Sequence, residues 1–448
     1  MKKEKVKKKQ SATRSIALGF ALIIFVGAIM LTLPIATRTG EVNFIASLFT
    51  ATSATCVTGL VVADTYQNWS VFGQIVVITM IQLGGLGFMT VGVYISVLLK
   101  KKIGLQERES IHESVNTLET AGVVRLVKKI VQGTFIIEGI GAMLLATRFI
   151  PRFGVKRGIY YSVFHSISAF CNAGFDLMGI EGEYSSLVAF EDDIVVNLVV
   201  MSLILIGGLG FIVWDDIQRN KWHFKKYLLH SKIVIISTVI ITLVTTILFF
   251  TFEYNNTLRD MTLQGKILGA AFSSVTPRTA GFNTVDTAAL SEAGKLLSMV
   301  LMFIGGSPGS TAGGAKTTTI VVLVCYAIAM IRSHEDINLF GRRLTADVVK
   351  KANAVVMINL VLSLIVAMMI MAMQPMLAGT DVMFEVLSAI NTVGMTTGIT
   401  RELNVVARML IIILMYCGRL GSLSFALVFA QKNTMDSIRQ PQEKIIVG

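Results

Sequence analysis

Eight stretches of roughly twenty mostly apolar residues, separated by short polar connections, set the layout of the chain. Each is long enough to cross a bilayer as a helix. Four of them, at about 15–35, 127–149, 232–252 and 353–375, run ahead of a shorter segment of some ten small, hydroxylated or apolar residues ending on glycine. The other four, at about 71–99, 194–214, 296–331 and 405–430, follow such a segment. Ten residues are too few to span, so each short segment reads as a re-entrant helix leading into a narrow turn. The predicted unit is outer helix, pore helix, turn, inner helix, used four times. This is an all-α membrane protein of eight transmembrane helices and four re-entrant pore helices, in which internal repetition outranks any local reading.

The repeats are diverged but aligned by glycine. The first reads Cys56-Val57-Thr58-Gly59-Leu60; the others are Asn172-Ala173-Gly174-Phe175, Thr279-Ala280-Gly281-Phe282 and Thr392-Val393-Gly394-Met395. A second mark follows 25, 33, 24 and 24 residues further on: Gly84-Gly-Leu-Gly87, Gly207-Gly-Leu-Gly210, Gly305-Gly-Ser-Pro308 and Gly418-Arg-Leu-Gly421. The resulting boundaries are a basic tail (1–14), repeat one (15–99), a connector (100–126), repeat two (127–218), a connector (219–231), repeat three (232–331), a connector (332–352), repeat four (353–430) and a tail (431–448).

Composition agrees with a bilayer. The chain is 53% hydrophobic and 15% charged, against about 25% charged in soluble domains. A net charge of +12 would suggest nucleic acid in a soluble protein. Here the basic residues cluster between apolar runs, with no aromatic interleaving, so nucleic-acid binding is set aside. The four cysteines have no metal-ligand spacing. Residues 1–33 mimic a signal peptide, but the apolar run is too long and the first repeat follows at once, so it reads as the first span.

Of 40 basic residues, 27 fall in the two tails and in the segments 100–129, 219–232 and 332–351, which makes those segments and both termini cytoplasmic. All four turns then enter from outside, where acidic residues outnumber basic ones. That face would either mildly concentrate cations or simply be a solvated surface. The stretch from Lys100 to Lys129 reads as an amphipathic surface helix, either a docking face or a plain interfacial connector.

Non-helical backbone at bilayer depth is tolerated only where it is buried in protein or lines a wet cavity. Four such turns converge sensibly on one shared axis, where their carbonyl oxygens replace the hydration shell of a cation. The fold is thus four membrane-pore-membrane repeats around one pore. The expected ion-binding residues are Val57, Thr58, Gly59, Asn172, Ala173, Gly174, Thr279, Ala280, Gly281, Thr392, Val393 and Gly394. No carboxylate lies inside these turns, which favours a weakly hydrated monovalent ion over a divalent one.

Residues 305–317 interrupt the third inner run with five glycines and a proline, so no straight helix holds there. Gly305, Gly306, Gly309, Thr311, Gly313, Gly314 and Lys316 are expected to form an intramembrane loop just below the turns and across the path. Gly309 to Lys316 is a near miss for a nucleotide P-loop, but no strand precedes it and Ala315 stands before the lysine. Lys316 and Arg419 are costly at this depth and need a wet cavity or a partner. Arg419 replaces the second glycine of the inner-helix mark and is expected to point at the pore, a purely structural cation being the alternative. Arg278 is expected to brace the third turn by donating to neighbouring backbone. His165 reads as an ordinary pore-helix residue.

On these turns and the segment 305–317, residues 15–430 resemble the Trk/Ktr/HKT superfamily of potassium uptake proteins, and within it the membrane subunit of bacterial Ktr systems (KtrB/KtrD-like). The resemblance implies one pore per chain, Gly59, Gly174, Gly281 and Gly394 as filter glycines, and 305–317 as a gate with Arg419 restricting passage below the filter. Plant relatives that favour sodium often carry serine at the first position, so Gly59 implies K+ selectivity. It also implies a homodimer in the cell membrane and a cytoplasmic RCK-type ring of nucleotide-binding subunits (KtrA/KtrC-like) that gates it. Na+ activation occurs in such systems and is left open. A broken-helix secondary transporter, a sodium pore of the same fold and an intramembrane enzyme are the rivals. The first needs inverted halves, and the last needs acid or nucleophile pairs that the spans lack.

Overall fold

The computed structural model describes residues 12–98, 123–221, 223–334 and 336–421. Residues 1–11 of the basic tail, most of the Lys100–Lys129 stretch, the end of repeat four (422–430) and the C-terminal tail lie outside them.

Among the described residues, four helices are long and apolar enough to cross a membrane: Ala12–Thr32, Val123–Phe153, Leu229–Glu253 and Ala346–Met373. These are the outer helices of the four repeats. Each is followed by a short helix, at Phe44–Thr55, Val155–Phe170, Leu263–Val275 and Gly379–Ile390, and then by an inner helix at Val71–Leu86, Ile194–Leu209, Glu292–Ile304 and Val405–Leu420. Every inner helix begins on a side chain that accepts a backbone N–H at its first turn: Ser70, Asp193, Ser291 and Asn404. Such caps satisfy orphan donors and fix where each helix starts.

The inner runs depart from the sequence expectation of single spans. Each of the first three is interrupted at or beyond its glycine mark, and the chain continues as Phe88–Leu98, Phe211–Asn220 and Thr317–Ile331. In repeat two the two pieces meet at 93°. The hinge is Gly210, at φ 96°, a conformation that L side chains avoid. Hydropathy continues straight through the hinge, which is why the run reads as one helix.

The repeats close into a ring. Gln82 of repeat one donates to both carboxylate oxygens of Glu138 of repeat two, at 3.1 and 3.3 Å. Leu187 N donates to Asn283 O between repeats two and three, at 2.8 Å. Lys295 and Asp381 pair at 3.1 Å between three and four. Repeat four returns to one through a buried cluster joining Phe49, Cys56 and Leu60 to Ile390, Ile411 and Met415. A two-residue hairpin, Asn338–Leu339 with Arg342–Arg343, is the single exception to helix among the described elements. All four cysteines are unpaired.

Candidate cation pathway

The four turns meet at the centre of the ring, and their glycines face one another in chain order. A Cβ built on Gly59 would lie 2.5 Å from Ala173 O; on Gly174, 2.7 Å from Ala280 O; on Gly281, 2.7 Å from Val393 O. On Gly394 it would collide with Thr58 O, closing the circle. Going round the circle, the carbonyl before each glycine therefore lies against the glycine of the previous repeat, and a Cβ at any of the four positions requires the backbone to shift.

Backbone geometry explains which way the carbonyls point. Val57, Asn172, Thr279 and Thr392 have positive φ of 57, 58, 72 and 50°, and the glycines two residues later have 91, 69, 81 and 91°. Left-handed residues at alternate positions of so short a segment turn its N–H groups to one side. That side is the C-terminal end of the short helix. Thr58 N donates to Ser53 O, Ala173 N to Ser168 O and Val393 N to Ser388 O, each at 2.8 Å. Gly59 N and Gly394 N donate to the hydroxyls of Ser53 and Ser388, at 3.0 and 3.1 Å. With the donors tied behind the turn, the carbonyls are left facing forward. Repeat three differs: Ala280 N donates to Thr276 O at 2.9 Å, and the Thr276 hydroxyl donates to Phe282 O at 2.6 Å. The hydroxyls of Thr58 and Thr392 are buried without a partner.

These serines are absent from the sequence-level site. The available signal is a serine six residues before the glycine in three repeats, Ser53, Ser168 and Ser388, with Val275 in the third.

The second glycine mark wedges the inner helices against the turns. A Cβ on Gly84, Gly207 or Gly418 would collide with the carbonyl oxygen of Thr55, Phe170 or Ile390, each four residues before its repeat's turn glycine. In repeat three this place goes to the interrupting segment. Gly305, at φ 66°, ends Glu292–Ile304, and the chain loops under the ring before Thr317 restarts the helix. The loop is stitched to its neighbours. Ser307 N and Thr311 N donate to Gly208 O and Gly207 O, at 3.1 and 3.3 Å, and Phe211 N donates to Gly309 O at 2.8 Å. A Cβ on Gly313 would strike the Thr392 hydroxyl, and Gly314 lies beside Asn391. Gly306 N reaches Gly313 O at 3.5 Å, which folds the loop onto itself.

Both expected cations find backbone oxygens. Lys316 Nζ donates to Ala312 O and Gly313 O, at 2.7 and 2.9 Å. Arg419 donates to Thr311 O of the loop and to Gly84 O and Gly85 O of repeat one. The sequence-predicted turn and loop residues are thus brought together in one column. Arg278 differs from expectation: buried to 5% exposure, it donates to the Thr238 hydroxyl at 3.1 Å rather than to the backbone of its own turn. Thr238 stands on the outer helix of the same repeat, Leu229–Glu253.

Above the ring, half-buried Asp176 lies two residues past Gly174 in the 171–193 connection. Burial, reinforced by the Asp64 carboxylate, pushes its carboxyl up to about 7, while the Met178 N–H it accepts opposes the rise.

The chain matches the family model of the TrkH cation transport protein over residues 3–440. It is 40% identical to the potassium/sodium uptake protein NtpJ of Enterococcus hirae over 453 aligned residues, covering 100% of this chain and 99% of that one. It is also 40% identical to the Ktr system potassium uptake protein B of Bacillus subtilis, over 97% of this chain and 96% of that one. The crystal structure of the potassium transporter TrkH from Vibrio parahaemolyticus superposes with a TM-score of 0.74 at 18% identity, covering 96% of this chain and 86% of that one. The chain therefore belongs to the TrkH family of cation transport proteins, multi-pass membrane transporters and not enzymes.

Proposed function

We propose that the protein carries K+ through the ring of turn carbonyls, as the membrane subunit of a potassium uptake system. The observation that carries this reading is the closed circuit of Gly59, Gly174, Gly281 and Gly394 against the carbonyls of Ala173, Ala280, Val393 and Thr58. Neutral, preoriented oxygens replace water around a monovalent cation without the charge that a divalent ion would demand. The names of the two 40%-identical relatives supply the ion. One of them names sodium as well, so Na+ as a second permeant or activating ion is the alternative within the same pathway.

Beneath the ring, Gly305, Gly306, Gly309, Thr311, Gly313, Gly314 and Lys316 form the gate. Opening requires the loop to leave the column, and Arg419 holds it there. The Ktr relatives are named as parts of systems. Regulation then comes from a cytoplasmic RCK-type ring, with the membrane subunit a homodimer in the cell membrane and both termini cytoplasmic.

Uptake-deficient cells expressing the chain test the reading. Growth on low K+ is expected, made stronger by co-expression of a Ktr cytoplasmic subunit. Failure to restore growth with the protein present in the membrane, with or without Na+, would overturn it.

A further inference from the structure

Building on the cation pathway proposed above, we infer that His165 and Glu385 are positioning residues that hold the outer limbs of two turns and thereby set discrimination between K+ and Na+. Both stand nine residues before their turn glycine, on the buried face of the short helix, in repeats two and four. They reach across to the chain after the glycine, the side of the turn opposite to the serine attachments.

His165 Nδ1 lies 2.7 Å from Tyr161 O. A carbonyl can only accept, so the ring proton sits on Nδ1 and Nε2 is an acceptor. It accepts from Leu177 N, three residues beyond Gly174, at 3.3 Å. Phe149, Phe164 and Phe282 surround the imidazole edge-on or tilted, at 5.4, 6.0 and 6.3 Å, and leave it one orientation. Glu385, at 1% exposure, accepts from the Thr396 hydroxyl at 2.7 Å and from the Thr400 hydroxyl at 2.5 Å. Thr396 lies two residues beyond Gly394 and in turn accepts from Gly398 N at 3.0 Å. The carboxylate therefore anchors the whole exit of the fourth turn.

The same position in repeats one and three holds Thr50 and Phe272. The Thr50 hydroxyl has no partner, and phenylalanine offers no acceptor. Repeat three ties its limb by Thr276 to Phe282 instead. Two of the four turns are thus fixed at both ends by one repeat position using different chemistry. A turn tied at both ends resists drawing inward around a smaller ion, because contraction must stretch bonds that are expensive to break in a buried site.

The test measures K+ and Na+ uptake, with KM and maximal rate separately, for wild type and variants in liposomes. Glu385→Met and His165→Leu remove the acceptors at similar bulk. Glu385→Met is expected to lower the K+/Na+ ratio roughly tenfold, the scale of one hydrogen bond to a charged group, and His165→Leu roughly fivefold, the scale of a neutral one, with KM for K+ rising more than the maximal rate falls. Glu385→Gln and His165→Gln retain an acceptor and are expected to restore most of the ratio. Thr50→Ala is expected to leave it unchanged. Should one acceptor-free variant fail to fold, the other reports from a different repeat. Wild-type selectivity in a folded acceptor-free variant, or equal loss in the glutamine variants, would overturn the inference alone. Absence of wild-type K+ flux would overturn the pathway reading and this one with it.

Discussion

The guanidinium of Arg419, on the fourth inner helix, donates to the carbonyl oxygen of Thr311 at the middle of the third repeat's loop. The same side chain reaches Gly84 O and Gly85 O of the first repeat. One residue therefore pins the loop to two other repeats, and a planar fork suits three carbonyls in a way that a single ammonium does not.

Removing that pin frees the loop. Hydrogen bonds to a charged donor contribute about 1.5–3 kcal/mol each. Arg419→Ala is expected to shift the loop toward its open arrangement by on the order of tenfold and to raise K+ flux in the absence of a regulatory partner. Arg419→Lys is expected to behave more like alanine than like arginine. Flux assays in liposomes check both, and reduced flux in folded Arg419→Ala would show that the arginine supports passage instead of limiting it.

The turn glycines differ in how much room they leave. A Cβ at Gly59 meets Ala173 O at 2.5 Å, whereas at Gly394 it overlaps Thr58 O and stands 2.9 Å from Gly59 Cα. Both positions also have φ of 91°, which strains any L side chain. Gly59→Ser is expected to leave a conducting protein whose K+/Na+ ratio falls roughly tenfold, since one displaced carbonyl weakens the larger ion's coordination. Gly394→Ser is expected to abolish uptake. Paired tracer uptake measurements distinguish the two outcomes.

The serine attachments make a graded prediction. Ser53 and Ser388 hydroxyls accept the turn glycines' N–H groups, but the Ser168 hydroxyl has no partner. A buried donor left unpaired costs about 1–3 kcal/mol. Ser53→Ala and Ser388→Ala are expected to reduce thermal stability and K+ selectivity, while Ser168→Ala stays near wild type. Melting temperatures of the detergent-solubilised proteins, with uptake ratios, check the ordering.

Asp176 supplies a pH dependence. Burial, with the Asp64 carboxylate beside it, pushes its carboxyl up to about 7, well above the ordinary carboxylate range. Below that value it is protonated; as external pH rises through 7 it gains a negative charge two residues past Gly174. Apparent affinity for K+ is therefore expected to improve severalfold between pH 6 and pH 8. Asp176→Asn is expected to flatten the profile, and an unchanged slope in that variant would assign the titration elsewhere.

What could be read from residues alone follows from what repeats. Gly59, Gly174, Gly281 and Gly394 stand out because four copies share a phase, and the apolar runs around them have a length that only a bilayer explains. The hinge at Gly210 is hidden, because Phe211-Ile-Val-Trp214 continues the apolar run without a polar break. Ser53 and Ser388 look like any small polar residue on a short helix until their partners are seen. Arg278 illustrates the opposite error: its position beside the third turn suggests a backbone partner, yet the hydroxyl of Thr238, on the outer helix of the same repeat, receives the bond. Glu138 is a lone acid in an apolar run, and only the fold brings Gln82 to both of its oxygens.

The most direct measurement is anomalous scattering from crystals of the full chain grown with Tl+ in place of K+. A peak on the axis between the carbonyl oxygens of Thr58, Ala173, Ala280 and Val393 is the predicted result, weakened in competition with excess K+. Tl+ bound elsewhere in the protein, with nothing between those four oxygens, would contradict it.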